Sequence, residues 1–341
     1  MARLWMAVIT IAALVSAPFS FAADEKFGIF ETIHASSVSF EETTSAVDAA
    51  LASSGLVLHA AHDVRVPENK HQARVYVLTS PTYSDAAKEE SPRTISAQIL
   101  RIAVYTQGDE QKSYINMANP VAHAMVFYAK SPNYDAMLDA AGSAADEIRA
   151  LVAAVPGEAL SVPQGSMRKE KHYRKYKGDG PARMMAKFRT YKKSQLVIGE
   201  DSADNFDAVV ERVSAAISNS EVAGPDESAG WEQIARIQLR DDVVYLGITN
   251  PFMEDRMVRI NSRSRKDEKS ELSPYPGVDH VPALPTDVLI LKEGDETFVL
   301  QYGQMWRMQL YFWDSGYGAF TANVGVPGTI VKSIEATITA K

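Results

Sequence analysis

The sequence contains no cysteine among its 341 residues. A thiol nucleophile, a cysteine-bound metal, a thiol redox centre and a disulfide brace are therefore all excluded. The serine-nucleophile elbow, the nucleotide-binding P-loop, the zinc-protease helix motif and the dinucleotide-binding glycine fingerprint are missing as well. Beyond the first 22 residues, no apolar run is long enough to span a bilayer. These absences favour a non-catalytic protein over an enzyme and predict no transmembrane segment in the mature chain.

The first 22 residues have the pattern of a secretory signal peptide. Arg3 supplies the positive start, Leu4 to Ala17 form an uncharged apolar run, and Pro18 ends it. Small residues then precede a cleavage position after Ala22. We therefore expect an exported protein in the periplasm of a Gram-negative bacterium.

One pattern occurs twice in the chain. The same apolar spacing marks two predicted helices, 166 residues apart: Phe40, Val47, Leu51 and Phe206, Val213, Ile217. A Gly-Asp-Glu turn separates two strand-like runs at 108–110 and again at 294–296. A repeat of this length indicates one domain used twice. We therefore divide the chain into a signal peptide (1–22), a first repeat domain (23–158), a basic linker (159–194) and a second repeat domain (195–341).

The order of elements in both repeats predicts the fold class. Each repeat contains a strand, a capped helix, two strands, a hairpin and a helix, which is an α+β arrangement. Bounded apolar runs predict strands at 73–79 and 243–249, and Asn205 is expected to cap a helix at 206–218. The segment 122–128 fits a helix or a strand, and residues 311–313 are expected to continue the second sheet. We predict two small sandwich-like α/β domains, each a mixed, mostly antiparallel sheet with helices on one face, paired as a pseudo-dimer within a monomer.

Both repeats resemble the bacterial family catalogued as domain of unknown function 302. The resemblance rests on the capped helix that runs from Ser39 to Gly55, the strand ends at 80–81 and 250–251, and the two glycine hairpins. It covers 27–156 and 195–339, and it implies a small α/β fold that pairs as a dimer, with no established activity. The family has an apolar, proline-containing lead into the hairpin. Copy two has Pro-Ala-Leu-Pro there, whereas copy one has Pro-Arg-Thr-Ile, so a ligand site shared by both copies is not implied.

Histidines and methionines form two candidate ligand or metal sites. His123 and Met125 lie close together in copy one, and the corresponding stretch of copy two contains Met305 and Trp306. Such residues could hold haem, copper or a small molecule, although they are more often core. Without a Cys-x-x-Cys-His motif, haem could not be attached covalently, and we predict no cofactor.

A second histidine pair consists of His62 and His71, which could meet across a turn and bind a metal. His62 and His59, which are three residues apart on one predicted strand, would face opposite sides of the sheet. Only a partner beyond the turn, such as His71, could therefore complete a metal site with His62. A structural role is the more common one for histidines in this pattern.

The segment 165–193 is strongly basic. Its eleven Lys and Arg and its two acids give a local charge of +9, whereas the whole chain carries −8. In an exported protein this charge favours an anionic envelope polymer or an acidic protein over nucleic acid. The expected contacts are Lys169, Lys171, Arg174 and Lys175. Alternatively, the segment could lie on the two acidic domains that it joins.

Three functions remain open on the sequence alone. The first is a non-catalytic binding or accessory protein with a ligand cleft between its two domains, to which Tyr275 in the polar insertion 261–280 could contribute. The second is a metal- or haem-dependent enzyme or a hydrolase of the envelope. The third is a scaffold that docks an anionic envelope polymer through the basic linker. The expected partners are a small molecule or an envelope protein or polymer, and no nucleic acid.

Overall fold

The computed structural model describes residues 25–66, 71–108, 111–176, 179, 191–220, 230–260 and 277–340. The predicted signal peptide, Tyr275 and most of the insertion at 261–280 lie outside these residues. None of the described helices is long and apolar enough to cross a membrane.

Strands and helices alternate along the chain. The strands are β1 (Lys26–Phe27), β2 (Phe30–Ser36), β3 (Val57–Asp63), β4 (Ala73–Thr79), β5 (Leu100–Gln107), β6 (Lys112–Ala118), β7 (Gly157–Gln164), β8 (Arg168–Lys169), β9 (Gln195–Ser202), β10 (Glu232–Arg240), β11 (Val243–Thr249), β12 (Thr286–Glu293) and β13 (Glu296–Tyr302). The α-helices are α1 (Phe40–Ala52), α2 (Pro81–Ala86), α3 (Pro120–Phe127), α4 (Tyr134–Val152), α5 (Glu170–Arg174), α6 (Tyr191–Ser194), α7 (Phe206–Ser218), α8 (Pro251–Val258), α9 (Gln304–Phe312), α10 (Gly316–Ala322) and α11 (Val326–Thr339). Short 3-10 helices occupy Pro92–Ala97, Ala203–Asn205, Val278–Ala283 and Trp313–Ser315.

Antiparallel pairing organises the strands into two large sheets and one short ribbon, β1–β8. The first sheet has the order β3-β4-β5-β6-β2-β7, and the second has the order β10-β11-β12-β13-β9. Five strands of the first sheet therefore have counterparts in the second, in the same order. In the two equivalent hairpins, Gly108 and Gly294 have φ angles of +79° and +63°, which glycine adopts without steric cost. The predicted α+β class is confirmed.

The strand registers show which residues of the two halves are equivalent. Val77 pairs with Arg101 in the first sheet, and Gly247 pairs with Asp287 in the second. The two strands are thus shifted by 170 and 186 residues, and the difference reflects the longer connection between β11 and β12. Arg101 and Asp287 occupy the same position in the two copies.

The halves pack against each other through exchanged 3-10 helices. Helices α1 and α4 pack together over the first sheet, and α7 and α11 pack together over the second. The 3-10 helix Pro92–Ala97 of the first half contacts β11 and β12, while Val278–Ala283 of the second half contacts β4, β5 and β6. Strands β3 and β10 also meet. Because each half contributes the same element to the other, the two form an internal pseudo-dimer.

The first helix of each half begins in a different way. The Ser39 hydroxyl accepts the amide of Glu42, and the Glu42 carboxylate accepts the amide of Ser39, which is a complete capping box. Helix α7 instead follows directly on the 3-10 helix Ala203–Asn205, so Asn205 lacks the extended backbone of a capping residue. Its Nδ2 donates to Asp201 Oδ1. The prediction that Asn205 caps the helix is therefore wrong, although the helix has the predicted bounds.

Two other local predictions are settled by helix α9 and helix α3. Residues 311–313 do not continue the second sheet, because Tyr311 belongs to α9, whose buried face also includes Trp306 and Leu310. Three aromatic residues in a row are too short a segment to reveal a helical period. The ambiguous segment 122–128 lies largely within α3.

The predicted linker is partly built into the first half. Strand β7 pairs with β2, so residues 159–164 belong to the first sheet, beyond the boundary placed at 158. Arg168 then anchors the chain to the second half, because its guanidinium donates to the carbonyl oxygens of Gln309 and Leu310 in α9. The basic segment therefore starts as a structured connection between the halves.

Candidate functional site

A basic pocket lies where the chain leaves β7. It has an empty volume of about 1010 Å³, part of it open to solvent. Its lining residues, which define the basic pocket hereafter, are Lys26, Met167, Arg168, Lys169, Lys171, His172 and Lys175. Six of these seven residues carry a positive charge or acquire one on protonation, so the pocket is suited to an anion.

Strand pairing creates this pocket. Strands β1 and β8 are antiparallel, and Lys26 lies directly opposite Lys169. Like charges at facing positions of a strand pair destabilise the pairing. Helix α5 follows at once and adds Lys171, and Lys175 comes directly after it. Lys26, Lys171 and Lys175 make no ion pair among the described residues.

The floor of the pocket is a hydrogen-bonded network in which Asp179 balances the charge of Arg168. Arg168, with 2% of its surface exposed, donates to both carboxylate oxygens of Asp179. The rings of Tyr173 and Tyr176 lie 5.4 and 5.0 Å from the guanidinium carbon. The Tyr176 hydroxyl donates to Asp179, and His172 Nε2 lies 3.3 Å from the same carboxylate. Because Asp179 is occupied by Arg168, the lysines at the rim supply the pocket's net charge.

The structure brings together three of the four residues predicted to bind an anionic partner. Lys169, Lys171 and Lys175 line the basic pocket. Arg174 does not, because its guanidinium lies 4.1 Å from the ring centroid of Tyr134 and 4.0 Å from Glu170. Lys26 was missed, since it lies more than a hundred residues away in sequence and only the β1–β8 pairing places it there.

His123 is buried between the halves, and its polar atoms are engaged. Nδ1 lies 2.8 Å from the carbonyl oxygen of Asn119, so Nδ1 carries the proton and donates. Nε2 then accepts from Arg101 Nη2 and from the Tyr311 hydroxyl, both at 2.8 Å. Burial, followed by the charge of Arg101, lowers the pKa of His123 to about 3. With its lone pair used twice, Nε2 is poorly placed to ligate a metal or haem.

The other residues predicted for a cleft between the domains are packed or lie elsewhere. Met125 is fully buried, whereas Met305 is partly exposed. Trp306 is 1% exposed, and its ring centroid lies 5.5 Å from that of Tyr302 and 6.1 Å from that of Phe127. The contacts of His123 and Trp306 with side chains of the other half make them part of the interface core, and Met125 belongs to the hydrophobic core.

The two histidines predicted to pair across a turn have different partners. His62 Nε2 lies 2.7 Å from Glu254 Oε1 in the other half, and Glu254 also accepts from the Thr249 hydroxyl. His71 Nδ1 lies 3.5 Å from the Thr106 hydroxyl. Within the described residues, no group of three or more histidine, aspartate and glutamate side chains is arranged to hold a metal ion.

The His62–Glu254 pair joins the two halves. Burial alone would lower the pKa of His62, but the hydrogen bond and charge of Glu254 raise it above its usual value. Glu254 is 4% exposed and also accepts the backbone amide of Arg65. No local sequence signal identifies this contact, because its two residues are 192 positions apart.

Comparison with known proteins adds no further constraint: no family model, curated protein or solved structure matches the chain. The resemblance to domain of unknown function 302 therefore stays a prediction.

Proposed function

We propose that this chain is an exported, non-catalytic binding protein that docks an anionic polymer of the cell envelope in its basic pocket. The observation that carries the proposal is the facing pair Lys26 and Lys169, with Lys171 and Lys175 beside it. Lys26, Lys171 and Lys175 make no ion pair among the described residues, and an anion held between them would offset their mutual repulsion. The export of the chain is part of the proposal and is supported by the pattern of its first 22 residues.

The distribution of the cations favours a ligand with several negative groups. The rim lysines come from β1, from β8, and from α5 and the residue after it, and they surround a cavity of about 1010 Å³. A single small anion would contact only part of this rim. The sequence from 180 to 190 contains three further cations and no acid, so the basic segment as a whole carries more positive charge than its described residues. A polymer with repeated carboxylate or phosphate groups matches this arrangement best.

The alternative, that the basic segment merely neutralises the acidic domains, has less support. Arg168 is anchored by Asp179 of the same segment and by two backbone carbonyls, rather than by carboxylates of the domains. Lys171 and Lys175 are exposed and make no ion pair among the described residues. Their charge is therefore available to a partner.

Charge reversal tests the proposal. We would measure binding of the full chain to polygalacturonate and to long-chain polyphosphate by affinity electrophoresis at increasing salt. Lys171→Glu with Lys175→Glu should weaken binding at least about tenfold, since each lysine near an anionic surface contributes on the order of 1 kcal/mol. Wild-type binding should also fall as salt screens the rim charges.

The matched control changes the same net charge elsewhere. Lys130→Glu with Lys332→Glu alters two exposed lysines outside the pocket and should leave binding near the wild-type value. If both double variants lose the same affinity for the polymers, the effect comes from net charge alone, and binding in the basic pocket is refuted. No binding of either polymer by the wild type would refute the proposed ligand class.

The predicted export needs its own measurement. The full chain expressed in a Gram-negative host should be recovered from the periplasmic fraction with Ala23 at its N-terminus. Recovery of the chain with an intact Met1 from the cytoplasmic fraction would contradict export, and with it an envelope polymer as the ligand.

A further inference from the structure

The second half contains an apolar cavity with an empty volume of about 520 Å³, part of it open to solvent. It lies among α8, the residues that follow the 3-10 helix Val278–Ala283, helix α9 and helix α11. Its walls include Met253, Met257, Met308 and Phe312, and Arg256 belongs to its lining. We call it the methionine pocket.

The first half has a buried tyrosine at the equivalent place. Tyr83 and Met253 are each the third residue of their helix, and their amides donate to the capping side chains of Ser80 and Asn250, respectively. Tyr83 is 1% exposed, whereas Met253 is 7% exposed. A rigid tyrosine fills the first half, and a flexible methionine faces the cavity in the second.

Two further positions show the same divergence. Ala87, which directly follows α2, and Met257 in α8 lie four residues after Tyr83 and Met253, respectively. Ala124 and Met308 are each the fifth residue of α3 and α9. Both alanines are fully buried, but Met257 is 5% exposed and Met308 is partly exposed. Methionine adapts its shape to apolar partners better than other side chains. In the second half, three flexible methionine side chains therefore line a cavity, at positions where the first half has a buried tyrosine and two buried alanines.

We propose that the methionine pocket binds the aliphatic chain of a carboxylated amphiphile, as in a medium-chain fatty acid. The walls are almost entirely apolar and include flexible methionines, so they accept the chain, and the space opens partly to solvent, so a charged head group can stay hydrated. This ligand and this site are independent of the basic pocket.

The residue that contacts the carboxylate is Arg256. It is exposed, its guanidinium carbon lies 5.3 Å from the ring centroid of Phe252, and it makes no ion pair among the described residues. Arg307 also lines the pocket, but its guanidinium already donates to the Thr286 hydroxyl and the Ala283 carbonyl. Of the two arginines in the lining, Arg256 is therefore the one left to bind a carboxylate, and the first half has Ala86 at this position.

Calorimetric titration with dodecanoate and with dodecanol tests the proposal on full-length protein that has been stripped of co-purified lipid. Met253→Tyr introduces the first-half residue and should weaken the binding of both ligands at least about tenfold by filling the space. Arg256→Ala should weaken dodecanoate about tenfold, the usual effect of a charge-assisted hydrogen bond, and leave dodecanol unchanged.

Matched controls separate this site from other effects. Arg259→Ala removes the same charge from the end of the same helix but outside the pocket lining, and should bind dodecanoate like the wild type. The double variant at Lys171 and Lys175 should also bind it normally, which distinguishes this proposal from the polymer site. Absence of dodecanoate binding by the wild type, or unchanged binding by Met253→Tyr with an unaltered melting temperature, would overturn the pocket. Equal affinity of the wild type for the alcohol would overturn the role of Arg256.

Discussion

The two halves share an order of elements but carry opposite charges at one equivalent buried position. Arg101 on β5 corresponds to Asp287 on β12, and neither is more than 6% exposed. Arg101 donates to Tyr311 of the other half, while Asp287 lies 3.8 Å from Arg307. Burial alone would lower the pKa of Arg101, but the interactions with Tyr311 and Asp287 outweigh burial and raise this pKa above its usual value. The arginine therefore stays charged. Two identical copies would place like charges in this region, so the divergence makes the halves complementary.

The halves also differ where the two pockets lie. In the first half, β7 covers the outer edge of β2 and continues into the basic pocket. In the second, no described strand pairs with the outer edge of β9, where Val197 is 48% exposed, and the methionine pocket lies among helices α8, α9 and α11. The shared strands supply a common frame, and the elements that differ supply the candidate ligand sites.

The largest effect is expected from Asp287→Ala. This change removes the carboxylate that faces Arg307 and Arg101, and it leaves two buried guanidinium groups without it. Breaking a buried ion pair on one side typically costs about 3–5 kcal/mol, so the free energy of unfolding measured in urea should fall by that amount.

The control is Asp255→Ala, which breaks an exposed ion pair with Arg259 in the same half. Its expected cost is below about 1 kcal/mol. If both variants lose the same stability, the buried carboxylate of Asp287 stabilises the fold no more than an exposed ion pair does.

His123 gives the next largest effect, and it depends on pH. Its pKa is about 3 in the folded chain and near 6.5 when unfolded, so below pH 6.5 protons bind the unfolded chain preferentially. Stability should therefore fall by about 2 to 3 kcal/mol between pH 6.5 and pH 4.5 through this group. His123→Gln does not titrate, so the gap between the wild type and the variant should narrow toward acid pH. Parallel pH profiles would contradict the assignment.

His62 should show the opposite dependence. Its pKa is raised in the folded chain, so its contribution is fully present below the unfolded value of 6.5 and is lost as pH rises through the folded value. The pair is partly exposed, which limits the effect to about 1 kcal/mol. The stability lost in His62→Gln should be largest near pH 5.5 and small near pH 8.5, and Glu254→Gln should remove the same dependence. A stability difference between the wild type and His62→Gln that stays constant with pH would contradict the raised pKa of His62.

Local sequence patterns predicted the bounds of several helices and strands, whereas contacts between residues distant in sequence were not predictable. The strands at 73–79 and 243–249 have the predicted bounds because each is rich in β-branched, aliphatic and aromatic residues and is followed by a polar residue and a proline. Charge composition identified Lys169, Lys171 and Lys175 of the basic pocket, but Lys26 depends on non-local strand pairing. The His62–Glu254 pair and the methionine pocket depend on how whole elements pack, which a single sequence does not encode locally.

The smallest expected effect compares the first helices of the two halves. Ser39→Ala removes the hydroxyl that accepts the Glu42 amide, and losing such a cap costs about 1 kcal/mol. Asn205→Ala occupies the equivalent position but removes only an exposed hydrogen bond to Asp201, so its effect should stay within about 0.5 kcal/mol. Thermal unfolding of the two variants measures the difference directly. Because the two helices have the same length, a larger loss in Asn205→Ala would show that the 3-10 helix before α7 depends on the Asn205 side chain for its stability.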